Sequence, residues 1–207
     1  MALNNLGVVA LAARELPKAE ARLKEALDIR TAVGDREGQC TCLRNLGILT
    51  LMQGNPAEAE TYHQRALSIA QDIKALTVEA ECRFYLGDVH RLQGRFTKAM
   101  AEYRQVLDLL AKGATPEVRV NAQAALAECL ARSDRHRAKT AEDLLEAIPA
   151  GKGDTPYVHR ARAWLLSLSG KSIEALAEQG LATADPRRQA PEIQGELKDL
   201  ATLIQNR

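Results

Sequence analysis

The cysteines are the first side chains of this 207-residue chain to test for metal binding or redox chemistry. The four cysteines (Cys40, Cys42, Cys82 and Cys129) form no CxxC pair and no Cys/His set with zinc-finger spacing. We interpret them as small buried or half-buried thiols of a protein in the reducing cytoplasm. The sequence therefore predicts no disulfide and no metal site.

The histidines are the next candidates, because imidazole is the commonest general acid or base. His63 and His90 fall at helical packing positions, and His136 falls at a turn. A lone histidine at helical spacing is more often structural than catalytic when no orienting partner accompanies it. The stretch Ala150-Gly151-Lys152-Gly153 lacks the GxxxxGK[ST] pattern of a phosphate loop, and HExxH, GxSxG and GxGxxG do not occur. We expect no enzymatic activity and no cofactor.

Two asparagines offer a different chemistry. Asn5 and Asn45 each directly precede a Leu-Gly pair. A carboxamide carries both donors and an acceptor, which match a peptide group. Two such groups on the same face of the protein could hold an extended peptide segment by its backbone, whatever its side chains. The alternative is that each asparagine forms a hydrogen bond to a neighbouring helix of the same chain.

The elements that position these asparagines are best seen in residues 43–70, which read as two helices joined by a tight turn. Gly54 stands where the first helix should end, since glycine readily takes the left-handed conformation that closes a helix. Asn55 is placed to cap the second helix, Pro56 is its first residue, and Glu58 follows three residues after the cap. Gly47, in the first helix, is expected to let the two backbones approach closely.

The same pattern recurs at one fixed interval on either side of this stretch. The first helix of each copy is marked by Leu6-Gly7, Leu46-Gly47 and Leu86-Gly87, and the second by Ala19/Ala26, Ala59/Ala66 and Ala99/Val106. A fixed period of this size predicts a stacked helical solenoid, because a single helix pair cannot bury its apolar face alone.

The period sets the expected domain organisation. We predict an all-α, right-handed superhelix of about five helix pairs plus a C-terminal capping helix, forming one continuous solenoid. Residues 1–113 form three regular repeats (1–34, 36–73 and 76–113), residues 114–185 form two degenerate repeats, and residues 186–207 form the cap. The first helix carries Leu3, Leu6, Val8, Val9 and Leu11 with no preceding cap. We expect either a chain cut from a longer protein or self-association through this helix.

The series Leu46-Gly47, Gly54, Ala59 and Ala66 resembles the tetratricopeptide repeat (TPR) signature. The resemblance covers nearly the whole chain and is strongest over residues 1–113. The basic unit of the family is about 34 residues, whereas the step from Gly7 to Gly47 and on to Gly87 is about 40 residues. The chain is therefore similar to the long-helix variety seen in kinesin light chain and in several bacterial regulators and sensors.

The resemblance implies a function in protein–protein interaction, with the first helix of every pair on the concave face. In peptide-binding members, asparagines in the register of Asn5 and Asn45 bridge the backbone of a bound peptide. Arginines of this face could meet acidic groups, and aromatic residues could supply apolar anchors. The predicted peptide-binding residues are Asn5, Asn45, Arg44, Ile48, Phe84, Tyr85, Asp88, Arg91, Arg160 and Trp164.

Charge and hydropathy argue against two classes of partner. The net charge is +1, and residues 1–113 carry 15 basic against 14 acidic side chains, so no basic stripe favours nucleic acid. No apolar run reaches the ~18 residues that span a bilayer, and the first residues read as repeat helix rather than signal peptide. We expect no nucleic-acid or membrane partner.

The leading interpretation is a scaffold that binds a peptide or helix of another protein. The alternatives are a sensor or regulatory domain of a larger bacterial signalling or transcription-regulating protein, and an enzyme in its own right.

Overall fold

The structure is a computed structural model that describes residues 2–110, 116–148, 155–169 and residue 202. In those ranges every regular element is helical. The helices are α1 (Ala2–Ala12), α2 (Leu16–Ala32), α3 (Arg36–Met52), α4 (Pro56–Asp72), α5 (Leu76–Leu92), α6 (Phe96–Leu110), α7 (Pro116–Ser133), α8 (Ala138–Glu146) and α9 (Pro156–Leu168), with a 3₁₀ turn at Arg135–Arg137 before α8.

The turns after α1 to α5 share one conformation that recurs at a regular interval along the chain. The residue two positions after each helix has a positive φ: Arg14 at 60°, Gly34 at 70°, Gly54 at 80°, Lys74 at 55° and Gly94 at 70°. In each turn the next amide donates to the carbonyl five residues earlier, as in Asn55 N to Thr50 O at 2.8 Å. This is the Schellman ending of a helix. The glycine prediction is confirmed at Gly54, and the same geometry also forms at Arg14 and Lys74.

The helix beginnings differ more than the helix ends. The Asp35 carboxylate accepts a hydrogen bond from the Gly38 amide at 2.8 Å and so caps α3. Asn55 occupies the cap position of α4, but its side chain makes no capping hydrogen bond, so the predicted Asn55 cap is wrong in its chemistry. Pro56 is the first residue of α4, as expected. The predicted cap at Thr115 lies outside the described residues.

Helices pack in antiparallel pairs, and the second helix of each pair also packs on the first helix of the next. One large apolar cluster runs from α5 to α9, and smaller clusters join α1 to α3 and α3 to α5. The fold is thus an all-α superhelix of helix pairs, as predicted. The second helix of the fifth pair (171–184) and, apart from residue 202, the capping helix (191–205) lie outside the described residues. The division into regular and degenerate repeats stays a prediction.

The glycines of the Leu-Gly pairs lie against the second helix of each pair. In each case the nearest atoms belong to a side chain of that helix. A Cβ added at the glycine would lie 2.7 Å from Leu23 at Gly7, 2.5 Å from the His63 ring at Gly47 and 2.5 Å from the Tyr103 ring at Gly87. The missing side chain therefore makes room for one large residue per repeat.

Candidate functional site

The odd-numbered helices line the inner side of the superhelix. Consecutive members of this set contact one another from α1 to α9, whereas α2, α4 and α6 lie farther from one another. Polar side chains follow the same side: Asn45 Nδ2 donates to Asn4 Oδ1 at 3.0 Å, and Arg44 pairs with Glu81 on the next odd-numbered helix. The concave wall predicted from the sequence is therefore formed by these helices.

Exposure changes along this wall. Four residues occupy equivalent positions in successive helix pairs: Val8 is 42% exposed, Ile48 is half-buried, Asp88 is 7% exposed and Glu128 is fully buried. The wall is thus accessible at α1 and α3 and closed at α7. We call the accessible part the N-terminal groove and define it by Asn5, Val8, Arg44, Ile48, Leu51 and Tyr85, each of which is exposed or partly exposed.

The two asparagines of the sequence prediction have different environments. Asn5 is exposed, whereas Asn45 is 5% exposed and donates to Asn4 on the neighbouring helix. Asn45 therefore makes the inter-helix hydrogen bond that was the structural alternative for both residues. The Asn5 carboxamide remains accessible from solution.

An open cavity of about 360 Å³, lined by both polar and apolar surface, lies beside Asn5. Its walls come from α1, the end of α2 and the first turns of α3, and they include the Arg30–Asp35 ion pair and Thr41. Asp35 is engaged twice, since it also caps α3, and its pKa is lowered first by the Gly38 amide and then by Arg30. This cavity extends the N-terminal groove toward the amino-terminal ends of the odd-numbered helices.

The closed part of the wall contains a buried ion-pair network. Glu128 is fully buried and accepts hydrogen bonds from Arg160 Nε at 2.6 Å, Arg132 Nη1 at 3.2 Å and Arg91 Nη1 at 3.5 Å. Burial favours the protonated carboxyl, but the three guanidinium groups outweigh it and hold the pKa of Glu128 well below its usual range. The carboxylate is therefore ionised at neutral pH and joins α5, α7 and α9.

Asp88 is the second centre of this network. Its Oδ1 accepts from Arg91 Nε at 3.2 Å and from the Tyr103 hydroxyl at 3.0 Å, while its Oδ2 accepts from the Tyr157 hydroxyl. Burial and then the Asp88 charge raise the pKa of Tyr103 well above its ordinary value, so this phenol remains a donor. Asp88 thereby ties α5 to both α6 and α9.

The predicted site residues fall into two groups. Phe84, Asp88, Arg91 and Arg160 are buried and engaged inside the fold, so the expectation that they present free groups on the concave face is corrected. Trp164 is partly buried, with the Arg132 guanidinium carbon 4.8 Å from its ring centre. The members that remain exposed or partly exposed are Asn5, Arg44, Ile48, Tyr85 and Trp164.

One buried group behind the groove was classed only as a packing residue. His63 is fully buried, its ring stacks on Tyr85 with centroids 5.3 Å apart, and neither ring nitrogen has a hydrogen-bond partner. Burial, and then the Arg44 charge, lower the pKa of His63 to about 3, so the ring is neutral. The sequence carried a signal for this: Tyr103 has Asp88 as its partner, whereas the position equivalent to Asp88 in the previous repeat is Ile48.

Two features that the described residues lack bear on other functions. These residues contain no cluster of three or more His, Cys, Asp or Glu side chains that could hold a metal ion. No helix among them is both long enough and apolar enough to cross a membrane. All four cysteines are free and buried.

Comparisons with known proteins place the chain. The sequence profile described as Tetratricopeptide repeat matches residues 1–72, which contain α1 to α4. A Podosopora anserina protein described as a putative kinesin light chain with nearly identical TPR-like repeats has a similar structure. The TM-score is 0.64 at 16% identity, over 94% of each chain. The TPR domain of P58(IPK) aligns over 99% of this chain and 65% of its own, with a TM-score of 0.39 and 14% identity. The search of curated proteins finds no match. The profile match identifies residues 1–72 as tetratricopeptide repeats, and the described helices share the fold of the similar structure with TPR-like repeats.

Proposed function

We propose that the N-terminal groove binds a peptide segment or a helix of a partner protein. The observation that carries this proposal is the gradient from Val8, which is 42% exposed, to Glu128, which is fully buried. When a partner covers an accessible apolar side chain on the concave wall, the complex is stabilised by about 25 cal/mol per Å² of apolar surface buried. At the equivalent positions Asp88 and Glu128, the closed part of the wall is buried.

The family supports the same conclusion. Tetratricopeptide repeats generally mediate protein–protein interaction, and they are typically non-catalytic scaffolds. The cavity beside Asn5 and the apolar side chains of Val8 and Ile48 give the groove both hydrogen-bonding and apolar contacts. A binding role therefore fits this chain better than catalysis.

The test is a selection of binders from a displayed library of random peptides, followed by affinity measurements on variants. Val8→Asp places a charge in the apolar part of the groove and should weaken binding at least about tenfold. In a separate variant, Asn5→Ala with Asn45→Ala, peptide affinity should fall by about 1 kcal/mol for each hydrogen bond that the amides make to the peptide backbone.

Gln64→Ala is the matched control, because it removes an exposed amide from α4, outside the wall. Unchanged affinity of Val8→Asp, with its helix content intact, would contradict binding in this groove. Unchanged affinity of the double asparagine variant alone would exclude the amides and leave the apolar contact.

We also propose that the chain self-associates through α1. Leu6 and Val9 are 53% and 64% exposed, whereas the equivalent Leu46 and Leu49 are buried against the preceding repeat. A mass by light scattering that rises above one chain with concentration, and returns to one chain in the variant Leu6→Glu, would support this. The control is Leu76→Glu, at an exposed leucine of α5. A mass of one chain at the highest concentration would contradict it.

The cellular compartment belongs to the same proposal. The four cysteines are free and buried. Burial raises the pKa of the Cys40 thiol to about 11 and that of the Cys82 thiol to about 12, so both remain protonated. Such thiols suit a reducing compartment, and we propose the cytoplasm.

A further inference from the structure

The charged side chains of the inner wall are already paired within the chain. Arg44 pairs with Glu81, and each side chain is 24% exposed. Arg91 and Arg160, the other arginines predicted to meet acidic groups, are bound to Asp88 and Glu128 inside the network. The three arginines therefore serve the fold.

An acidic partner would gain little from Arg44. A partner carboxylate could reach this guanidinium only by displacing Glu81, which would leave a largely covered carboxylate without its counter-charge. If a partner carboxylate replaced Glu81 at Arg44, the number of ion pairs would not increase, and the largely covered Glu81 would lose its counter-charge at a cost in free energy. Charge thus selects against acidic side chains at this position, and Glu81 similarly shields Arg44 from long-range attraction.

Apart from Glu37, an exposed acid that lines the cavity beside Asn5, the other accessible residues that define the groove are apolar or uncharged. Val8, Ile48, Leu51 and Tyr85 supply apolar surface on α1, α3 and α5, and Asn5 supplies an exposed amide. An interface of this kind gains affinity from burial of apolar area, which depends weakly on salt at ordinary concentrations.

The asparagine pair distinguishes an extended segment from a helix. The Asn45 amide nitrogen donates a hydrogen bond to Asn4, which fixes the Asn45 side chain at the boundary between α1 and α3. Asn5 lies beside it with an exposed carboxamide that can donate and accept. An extended segment offers unpaired backbone groups to such an amide, whereas a helix has satisfied most of its own.

We infer that the N-terminal groove accepts an extended segment of a partner protein whose inward-facing side chains are apolar and uncharged. This inference rests on the proposed function and specifies the chemistry of the partner. Neighbouring helices pack about 8–10 Å apart, and an extended chain advances about 3.3 Å per residue, so the three helices accommodate roughly six residues.

The probe is a phage-displayed library of random peptides of about 12 residues, which is twice the expected footprint. Selection on the wild-type protein should enrich apolar residues and deplete aspartate and glutamate in the bound stretch. The affinity of a selected peptide should change less than about twofold between low salt and about 0.5 M salt, since no charge pair forms.

Glu81→Gln is the matched variant, because it keeps the shape and hydrogen bonding of Glu81 but removes the charge that neutralises Arg44. Selection on this variant should enrich acidic residues, and the affinity of those peptides should fall at least about fivefold over the same range of salt. Circular dichroism confirms that both proteins have the same helix content.

The outcomes separate the inference from the function on which it rests. Acidic peptides selected by the wild-type protein, or apolar residues enriched at positions i, i+3 and i+4 as in a docked helix, would overturn the inference and leave groove binding standing. Failure of the folded wild-type protein to enrich any peptide would overturn both. Enrichment that survives Val8→Asp would place the binding site elsewhere and overturn both as well.

Discussion

Replacing His63 by leucine tests the most unusual buried group of the fold. Leucine is the natural occupant of the equivalent position in the first repeat, where Leu23 lies on Gly7. His63 is fully buried and neither ring nitrogen has a partner, so its N–H group carries an unmet desolvation cost of about 1–3 kcal/mol. We expect His63→Leu to be neutral or stabilising at pH 7.

The pH dependence gives the sharper magnitude. The pKa of His63 is about 3 in the folded protein, because burial disfavours the charged ring, and about 6.5 in the unfolded chain. The unfolded chain therefore binds the extra proton first, and stability is lost as the pH falls from about 6.5 toward 3. Between about pH 7 and pH 5 the loss from this group is about 2 kcal/mol, at 1.36 kcal/mol per pKa unit.

The assay is urea unfolding followed by far-ultraviolet circular dichroism at several pH values. The free energy of unfolding of the wild-type protein should fall about 2 kcal/mol more than that of His63→Leu over this interval. His136→Leu controls for the removal of a histidine, because His136 is exposed on a turn. Parallel curves for the wild-type protein and His63→Leu would refute the assignment of a dry, neutral imidazole.

A second variant tests the cause. Ile48→Asp places a carboxylate where the equivalent Asp88 accepts from Tyr103. A nearby carboxylate favours the imidazolium and should raise the pKa of His63, so the pH-dependent loss of stability should shrink. An unchanged pH dependence in folded Ile48→Asp would mean that Ile48 does not face the ring.

The remaining predictions concern stability in urea at neutral pH. Glu128→Gln removes the charge that compensates three arginines and should lower the free energy of unfolding by about 3–5 kcal/mol. The control Glu142→Gln, on the exposed side of α8, should change it by no more than about 0.5 kcal/mol. Equal effects of the two substitutions would contradict the network. Gly47→Ala places a Cβ 2.5 Å from the His63 ring and should cost about 1–3 kcal/mol, and a neutral result would show that the ring can withdraw. Asp35→Ala removes the cap of α3 and should cost about 1 kcal/mol, which a value near zero would contradict.

The helix ends and starts of residues 1–110 could be predicted where their signals are local. Gly54 and Gly94 marked helix ends, and Pro56 marked a helix start, since each residue acts on the backbone within a few positions. Arg14 and Lys74 adopt the same positive φ without glycine, because the Schellman hydrogen bonds and the packed helices on either side determine the turn. No residue-type signal announces those two turns.

The closed part of the wall could not be predicted in the same way. Helical spacing placed Arg91 and Arg160 on the inner face, and they do lie there. Their carboxylate partner Glu128 is 37 residues from Arg91 and 32 from Arg160, in repeats where the period is irregular. A pattern of faces indicates where a side chain lies but not whether a distant residue neutralises it.

The positions of the buried contacts along the chain determine which repeats can be exchanged or duplicated. Gly47, Ile48 and His63 all fall within residues 36–73, so a transplanted second unit would carry the glycine and the ring that covers it, but it would need Glu81 and Tyr85 of α5 as partners for Arg44 and His63. The third unit is less independent, because its Asp88 and Arg91 depend on Tyr157 and Glu128 beyond its boundary. Exchange of the second unit should therefore be tolerated, in evolution as in engineering, where the following helix supplies those two partners, whereas everything from α5 to α9 should be inherited together.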